Sequence, residues 1–248
     1  MDVSIEKEAI RRRVWRIMDE SGVSRFPKPV VGRIPNFKGA ETATRKLSNL
    51  PEFKAAMVVK VNPDSPQTSV RQETLLSGRV LVMPTPRLRE GFLLLDSKDI
   101  PRDVLKESST IRGAFKYGRS IGIEDLPRVD VVVAGSLAVS PNGGRIGKGG
   151  GYSEIEYGIL RELGLIGEET PVLTTVHDIQ ILDRLPVEEH DFSVDVIVTP
   201  KKVIRTGRKR RQPDGIVWDK VTPKMLEEMS VLKELRERKR GEERGRMA

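Results

Sequence analysis

The chain contains no cysteine. Disulfides and thiolate-held metals are therefore excluded, and any stability must come from an ordinary core. Aromatic residues make up only 4% of the 248 positions, which leaves little material for stacking nucleic-acid bases. No run of 18 apolar residues occurs, and the first twenty positions are too charged for a signal peptide. A membrane span is not expected, and a cytoplasmic protein is. Histidine occurs twice, at His177 and His190, each beside an aspartate. Neither is accompanied by a serine elbow or a spaced histidine pair, so both read as structural.

What is abundant is charge, 32% of residues, with a net +8 that is unevenly placed. Residues 201–248 hold 16 Lys+Arg against 8 Asp+Glu, so the first 200 positions balance. A body over 1–205 followed by a basic extension over 206–248 is the expected organisation. At this length one α/β domain with appendages is expected.

The most informative stretch is Gly143-Gly144-Arg145-Ile146-Gly147-Lys148-Gly149-Gly150-Gly151-Tyr152. It follows an apolar run at 129–134 and has six glycines within nine residues. Beyond Tyr152 the apolar positions Ile155, Ile159, Leu160 and Leu163 take helical spacing. Strand, glycine-rich loop, helix start is a physical recipe for an anion site. Glycines let main-chain N–H groups approach, the helix end adds unpaired donors, and Arg145 and Lys148 bring full charges. The loop matches neither the P-loop nor the dinucleotide spacing, and a merely mobile connection fits it equally well.

Elsewhere, Ser4 reads as the cap of a first helix with apolar Ile10, Val14, Ile17 and Met18 and a basic face at Lys7, Arg11, Arg12, Arg13 and Arg16. Helices are expected near 40–50, ended by Pro51, then at 70–77 and 102–107, and at 154–163. Strands are expected at 55–61, 79–83, 91–95, 130–134, 172–176 and 194–198. Alternating strands and helices predict an α/β fold with a mostly parallel sheet covered on both faces. The prolines of Pro84-Thr85-Pro86 would stiffen the lip of a pocket or simply make a turn. In the extension, Met225, Met229, Leu232 and Leu235 predict one amphipathic helix that packs on the body. Clustered Arg and Lys there also admit RNA contact, with Trp218 alone available to stack.

Arg145-Ile146-Gly147-Lys148-Gly149-Gly150-Gly151-Tyr152 resembles the R-x-G-x-G-x-G-Y loop of the 5-formyltetrahydrofolate cyclo-ligase family, the methenyltetrahydrofolate synthetases. The 171–203 stretch is similar too, through Gln180, Leu185-Pro186 and His190-Asp191. The likeness is strongest to the branch of methenyltetrahydrofolate synthetase domain-containing proteins, through Pro84-Thr85-Pro86-Arg87-Leu88 and Val176-His177-Asp178. The resemblance covers roughly residues 5–205. It implies the fold shared by ribose-5-phosphate isomerases and CoA transferases, and an ATP- and Mg²⁺-dependent ligase. Such an enzyme phosphorylates the formyl oxygen of 5-formyltetrahydrofolate and closes the ring to 5,10-methenyltetrahydrofolate.

Carried onto this chain, the resemblance puts Lys7, Arg11, Arg145, Gly147, Lys148, Gly149, Gly150, Gly151 and Tyr152 at the nucleotide, with Arg145, Lys148 and Tyr152 in the chemistry. Gln67, Pro84 and Thr85 would meet the folate, and Glu154 and Asp191 the magnesium. The chain departs from the pattern twice. Gln67 stands roughly where the family has a glutamate that contacts folate, and Tyr152-Ser153-Glu154 replaces a Tyr-Tyr-Asp run. The nucleotide half is thus kept and the folate half altered, which leaves a different pterin-like or small carbonyl substrate open. From another class, the alternative is a non-catalytic nucleotide-binding or RNA-associated protein on the same fold.

Overall fold

The structure is a computed structural model that describes residues 2–247. Helix α1 (Val3–Glu20) is capped by Asp2, whose carboxylate accepts the Ser4 N–H at 2.9 Å, so the cap falls two residues before the expected Ser4. Its apolar stripe buries Val14, Trp15 and Met18. A short antiparallel pair, β1 (Ser24–Arg25) and β2 (Asn36–Phe37), brackets the proline-rich connection. Helix α2 (Ala40–Ser48) stops before Pro51, which opens the one-turn α3 (Pro51–Ala55) in its first turn, where a missing N–H costs nothing.

The alternation then follows expectation: β3 (Val58–Val61), α4 (Thr68–Leu76), β4 (Val80–Pro84) and β5 (Phe92–Asp96), which returns antiparallel. The polar segment at 102–107 is more broken than expected. It makes a 3₁₀ turn, a four-residue α5 (Leu105–Ser108) and then α6 (Ile111–Tyr117), followed by edge strand β6 (Arg119–Ile121). β7 (Val131–Ala134) leads to a small hairpin of β8 (Ala138–Val139) and β9 (Arg145–Ile146), closed at Gly143 with φ 93°. Helix α7 (Tyr152–Glu162), β10 (Val172–Thr175), β11 (Val196–Val198) and β12 (Val203–Arg205) complete the body.

Eight strands form one sheet in the order β12-β11-β10-β7-β3-β4-β5-β6. The five from β11 to β4 run parallel, and the outer strands are antiparallel. The predicted mostly parallel α/β sheet is therefore what forms. The two strands of this sheet that sequence reasoning did not name, β6 and β12, are three-residue edge strands whose hydrogen bonding rather than hydrophobicity defines them.

Helices α1, α2, α4 and α6 cover one face of the sheet, where Val59, Val61, Val131 and Val133 point. Helix α7 and the C-terminal helices cover the other, against Val132, Ala134 and Ile197. Burial on both sides of β7 explains its apolar run: both faces are covered, so every side chain is buried. The tail forms two helices rather than one, α8 (Pro223–Glu228) and α9 (Ser230–Met247), broken at the extended Met229 (φ −118°, ψ 101°). Met229, Leu232 and Leu235 are buried in the second core. The basic run before the helices bonds to the body: Arg208 pairs with Asp195 at 2.8 Å and Glu168 at 2.6 Å, and Arg210 donates to the Asp191 carbonyl at 2.8 Å. No described helix is long and apolar enough to cross a membrane.

The connection leaving β3 runs to β4 on one side, while that leaving its neighbour β7 runs to β10 on the other. Ligands of open α/β sheets collect outside the carboxyl ends of the strands at such a reversal. The loops leaving β3 and β7 therefore frame the place to look. Because Leu232 is fully buried, Leu232→Ala should lower unfolding stability by about 2–4 kcal/mol in urea. An unchanged midpoint would mean that the tail does not dock.

Candidate active site at the carboxyl edge of the sheet

Arg145 comes first because it fixes the others. It is 1% exposed, at the base of the glycine-rich loop. Its Nε and Nη2 donate to the Gly135 carbonyl at 3.1 and 2.7 Å, and Nη1 donates to Glu154 at 2.6 Å. The guanidinium lies 4.4 Å from the ring centre of Phe192, which stacks on Tyr157. Arg145 thus ties the end of β7 to the first turn of α7. Burial alone would raise Glu154, but the Arg145 guanidinium outweighs it and holds the carboxyl below its ordinary range. The expectation that Arg145 itself reaches a phosphate is at odds with this enclosure; it supports the loop from beneath.

Above it, Gly147 to Gly151 form the loop, with Gly149 and Gly151 at φ 100° and 70°. Gly151 is the N-cap of α7 and offers no side chain, so no side-chain cap occupies the first N–H groups of the helix. A Cβ on Gly149 would come within 3.3 Å of the Arg11 guanidinium. Helix α1 therefore faces the loop: Arg11 Nε donates to the Gly147 carbonyl at 3.0 Å. One turn earlier, the buried Lys7 bonds Glu188 at 2.9 Å and Asp191 at 2.5 Å. A cavity of about 190 Å³ lies here, lined by Lys7, Arg11, Gly149, Gly151, Glu154 and Asp191.

On the other side of the loop, at the switch point, opens a cavity of about 640 Å³. Lys148 and Tyr152 line it. Lys148 Nζ meets Asp64 at 2.9 Å, and the Tyr152 hydroxyl donates to Glu228 of the tail at 2.9 Å. Burial, aided by the Glu228 carboxylate, raises the Tyr152 phenol. The loop from β3 supplies the floor, with Asn62, Asp64 and Ser65. Behind them, Glu156 of α7 is 3% exposed and accepts from Lys60 Nζ and Asn62 Nδ2, both at 2.6 Å. Burial raises Glu156 against the opposing pull of Lys60. Arg71, also almost wholly buried, is held by burial at about 10.

The predicted folate residues are placed differently. Gln67 is fully buried and holds the Thr175 hydroxyl at 3.1 Å. Thr85 is also buried and accepts the Glu90 N–H at 3.1 Å, pinning its own loop. Pro84 ends β4 in the sheet, and it is Pro86 and Arg87 that reach the cavity. Arg87 and Leu88 sit at positive φ, 60° and 52°, a cost that clusters at functional sites. Glu154 and Asp191 share the smaller cavity, yet each is already ion-paired. Among the described residues no group of three acidic or histidine side chains could hold a metal unaided. The residues present fit a metal only if anionic oxygens from the ligand complete its shell. His177 caps a 3₁₀ turn through the Ile179 N–H at 3.3 Å. His190 lines the smaller cavity.

Sequence reasoning missed Lys60, Arg71 and Glu156. Two of these carry a legible signal: a lone cation within the apolar strand β3 and a carboxylate among the apolar positions of α7. Opposite charges buried in adjacent elements must meet.

This is an α/β protein with an amide-lined loop and two flanking cavities at the sheet's switch point. The profile of the 5-formyltetrahydrofolate cyclo-ligase family matches residues 3–200, so the chain belongs to that family. It is 43% identical over 240 residues to the methenyltetrahydrofolate synthase domain-containing protein of Mus musculus, covering 95% of this chain and 64% of that one. It is 32% identical over 81 residues to a 5-formyltetrahydrofolate cyclo-ligase of Mycolicibacterium smegmatis, covering 33% of this chain and 39% of that one. Among solved structures, the 5,10-methenyltetrahydrofolate synthetase of Aquifex aeolicus shares the fold, at TM-score 0.52 and 21% identity over 82% of this chain and 94% of that one. The chain spans under two thirds of the mouse relative's length.

Replacing Lys60 by Met leaves Glu156 buried without its cation, which should cost about 3 kcal/mol of stability. With Lys60 gone, the folded-state carboxyl rises further above its unfolded value. The variant should therefore be nearest to the parent at low pH and lose stability as pH rises. Unfolding midpoints across pH check this; a deficit that grows toward acid would contradict it.

Proposed function

We propose that the chain is an ATP-dependent cyclo-ligase acting on a reduced folate or a closely related pterin. The observation that carries this reading is the glycine-rich loop. Its helix start is uncapped, and Lys7, Arg11 and Lys148 stand around it. In this reading the formyl oxygen attacks the γ-phosphorus of ATP and ADP leaves. The neighbouring ring nitrogen then attacks the activated carbon, and inorganic phosphate departs as the methenyl bridge forms.

Such chemistry needs positioning and charge stabilisation rather than a protein nucleophile. The N–H groups of 147–154 orient the polyphosphate, and Arg11 and Lys7 bring positive charge from α1. Lys7 is held by Glu188 and Asp191, and a divalent cation accompanying the phosphates would be held on the same side of the loop, where it would supply further positive charge to the polyphosphate. Glu154 and Asp191 are the residues that would face that ion. Arg145 is a positioning residue. Lys148 lines the larger cavity, where in this reading it meets the transferred phosphoryl group. Tyr152 walls the larger cavity, which has room for the pterin. Asp64 there offers the carboxylate that Gln67 does not.

The test is phosphate release from ATP in the presence and absence of 5-formyltetrahydrofolate. Stimulated release, with Lys148→Ala lowering kcat/KM by about tenfold to a hundredfold, is the expected result. No release with any reduced pterin, alongside retained ATP binding, would favour the non-catalytic nucleotide-binding alternative. RNA contact through the extension then becomes testable as salt-sensitive binding.

A further inference from the structure

The family profile ends at residue 200, yet the chain beyond it returns to the glycine-rich loop. Residues 217–228 cross the site as a strap held at both ends. Upstream, the buried Gln212 exchanges hydrogen bonds with the Ser193 main chain at 2.8 and 3.0 Å, and the Ile216 N–H donates to Glu162 at 3.0 Å. Downstream, Met229 and Leu232 are fully buried in the second core. Between these anchors no residue is buried, and the extended Met229 separates α8 from α9. A lightly packed segment between firm ends opens locally at low cost.

Three contacts clasp the strap to the site. Lys220 Nζ meets Oε1 of Glu188 at 3.3 Å, while Oε2 of the same carboxylate holds Lys7 at 2.9 Å. The Met225 methyl lies 2.9 Å from where a Cβ on Gly151 would sit, so the strap rests on the loop itself. Glu228 accepts the Tyr152 hydroxyl at 2.9 Å. The Tyr152 proton is thereby committed, which leaves the phenolic oxygen an acceptor toward anything in the larger cavity. Under the strap, a space of about 140 Å³ adjoins the smaller cavity, and Gly151, Glu154 and His190 line both.

The reaction described above passes through a carbon activated by phosphate. Water reaching that carbon would expel the phosphate and return 5-formyltetrahydrofolate, consuming ATP with no ring closed. Keeping water out of such a site is what a closing segment does.

From this we infer that residues 217–228 form a closing strap of the active site, seated on the loop by Lys220 and Met225, in which Glu228 is the positioning residue that fixes Tyr152. The strap opens to admit and release ligands and shuts over the glycine-rich loop for the chemistry, where it shields the activated carbon. That shielding rests on the cyclo-ligase reading; the clasp on Tyr152 does not.

Two measurements on the full chain test it. Neither Met225 nor Glu228 is buried, so Met225→Ala and Glu228→Ala should fold normally. From ATP and 5-formyltetrahydrofolate the parent should release phosphate and form methenyl product in equal amounts. Both alanine variants should release at least about threefold more phosphate than product. Glu228→Gln, which still accepts the Tyr152 proton, should restore the balance. The second measurement needs no turnover: the Tyr152 phenol is titrated by NMR in ring-labelled protein, with Tyr152→Phe assigning the signal. Burial and then Glu228 raise this phenol, while Arg87 and Arg89 lower it. Removing the carboxylate charge in Glu228→Gln should therefore move it down toward its ordinary value. Equal phosphate and product in the alanine variants would overturn the shielding, and an unmoved phenol would overturn the clasp. A parent that releases no phosphate with any reduced pterin sinks the cyclo-ligase reading and the shielding with it, while the phenol shift still decides the clasp.

Discussion

One buried guanidinium organises the functional end of this protein. Arg145 joins the carbonyl that ends β7, the carboxylate in the first turn of α7 and the ring of Phe192. Remove it and Glu154 is left beside a helix start with no counter-charge, while the loop between loses its base. The glycines above it adopt conformations other residues resist, so their shape needs a rigid support. The support is electrostatic as well as steric. A cation beneath the loop adds to the helix-end field without occupying the surface a ligand would touch.

The sheet supplies the rest through topology. Because β3 and β7 are adjacent and their connections diverge, the loops leaving them open a crevice between them. Into it converge Asn62 and Asp64 from one strand and the glycine-rich loop from the other. The buried Lys60–Glu156 pair bolts α7 onto β3 across this crevice. On the far side, α1 closes against the loop through Arg11. The tail touches the site too, since Glu228 holds Tyr152 and Met225 lies over Gly151. What reads in sequence as a charged appendage contributes a wall.

Much of this was legible before the structure. The parallel strands announced themselves because burial on both faces demands unbroken Val and Ile runs. The loop announced itself because few other roles require so many glycines beside a helix start. The facing of Lys7 and Arg11 toward that loop came through family resemblance, since a basic helix face by itself does not say what it meets. Arg145, Gln67 and Thr85 are more enclosed than their sequence context suggested, for a common reason. Polar residues near a site can either present a group to the ligand or secure the backbone beneath it, and sequence does not separate these. The small edge strands escaped because pairing, not composition, defines them.

In the proposed function, main-chain amides between β7 and α7 receive a nucleotide polyphosphate. The most direct measurement is an amide-resolved NMR titration of the full chain with ATP and magnesium. The amides of Gly147 to Glu154, with Lys7 and Arg11 beside them, should shift first and saturate together. Saturable ATP binding that leaves those amides unmoved and shifts another surface would contradict it.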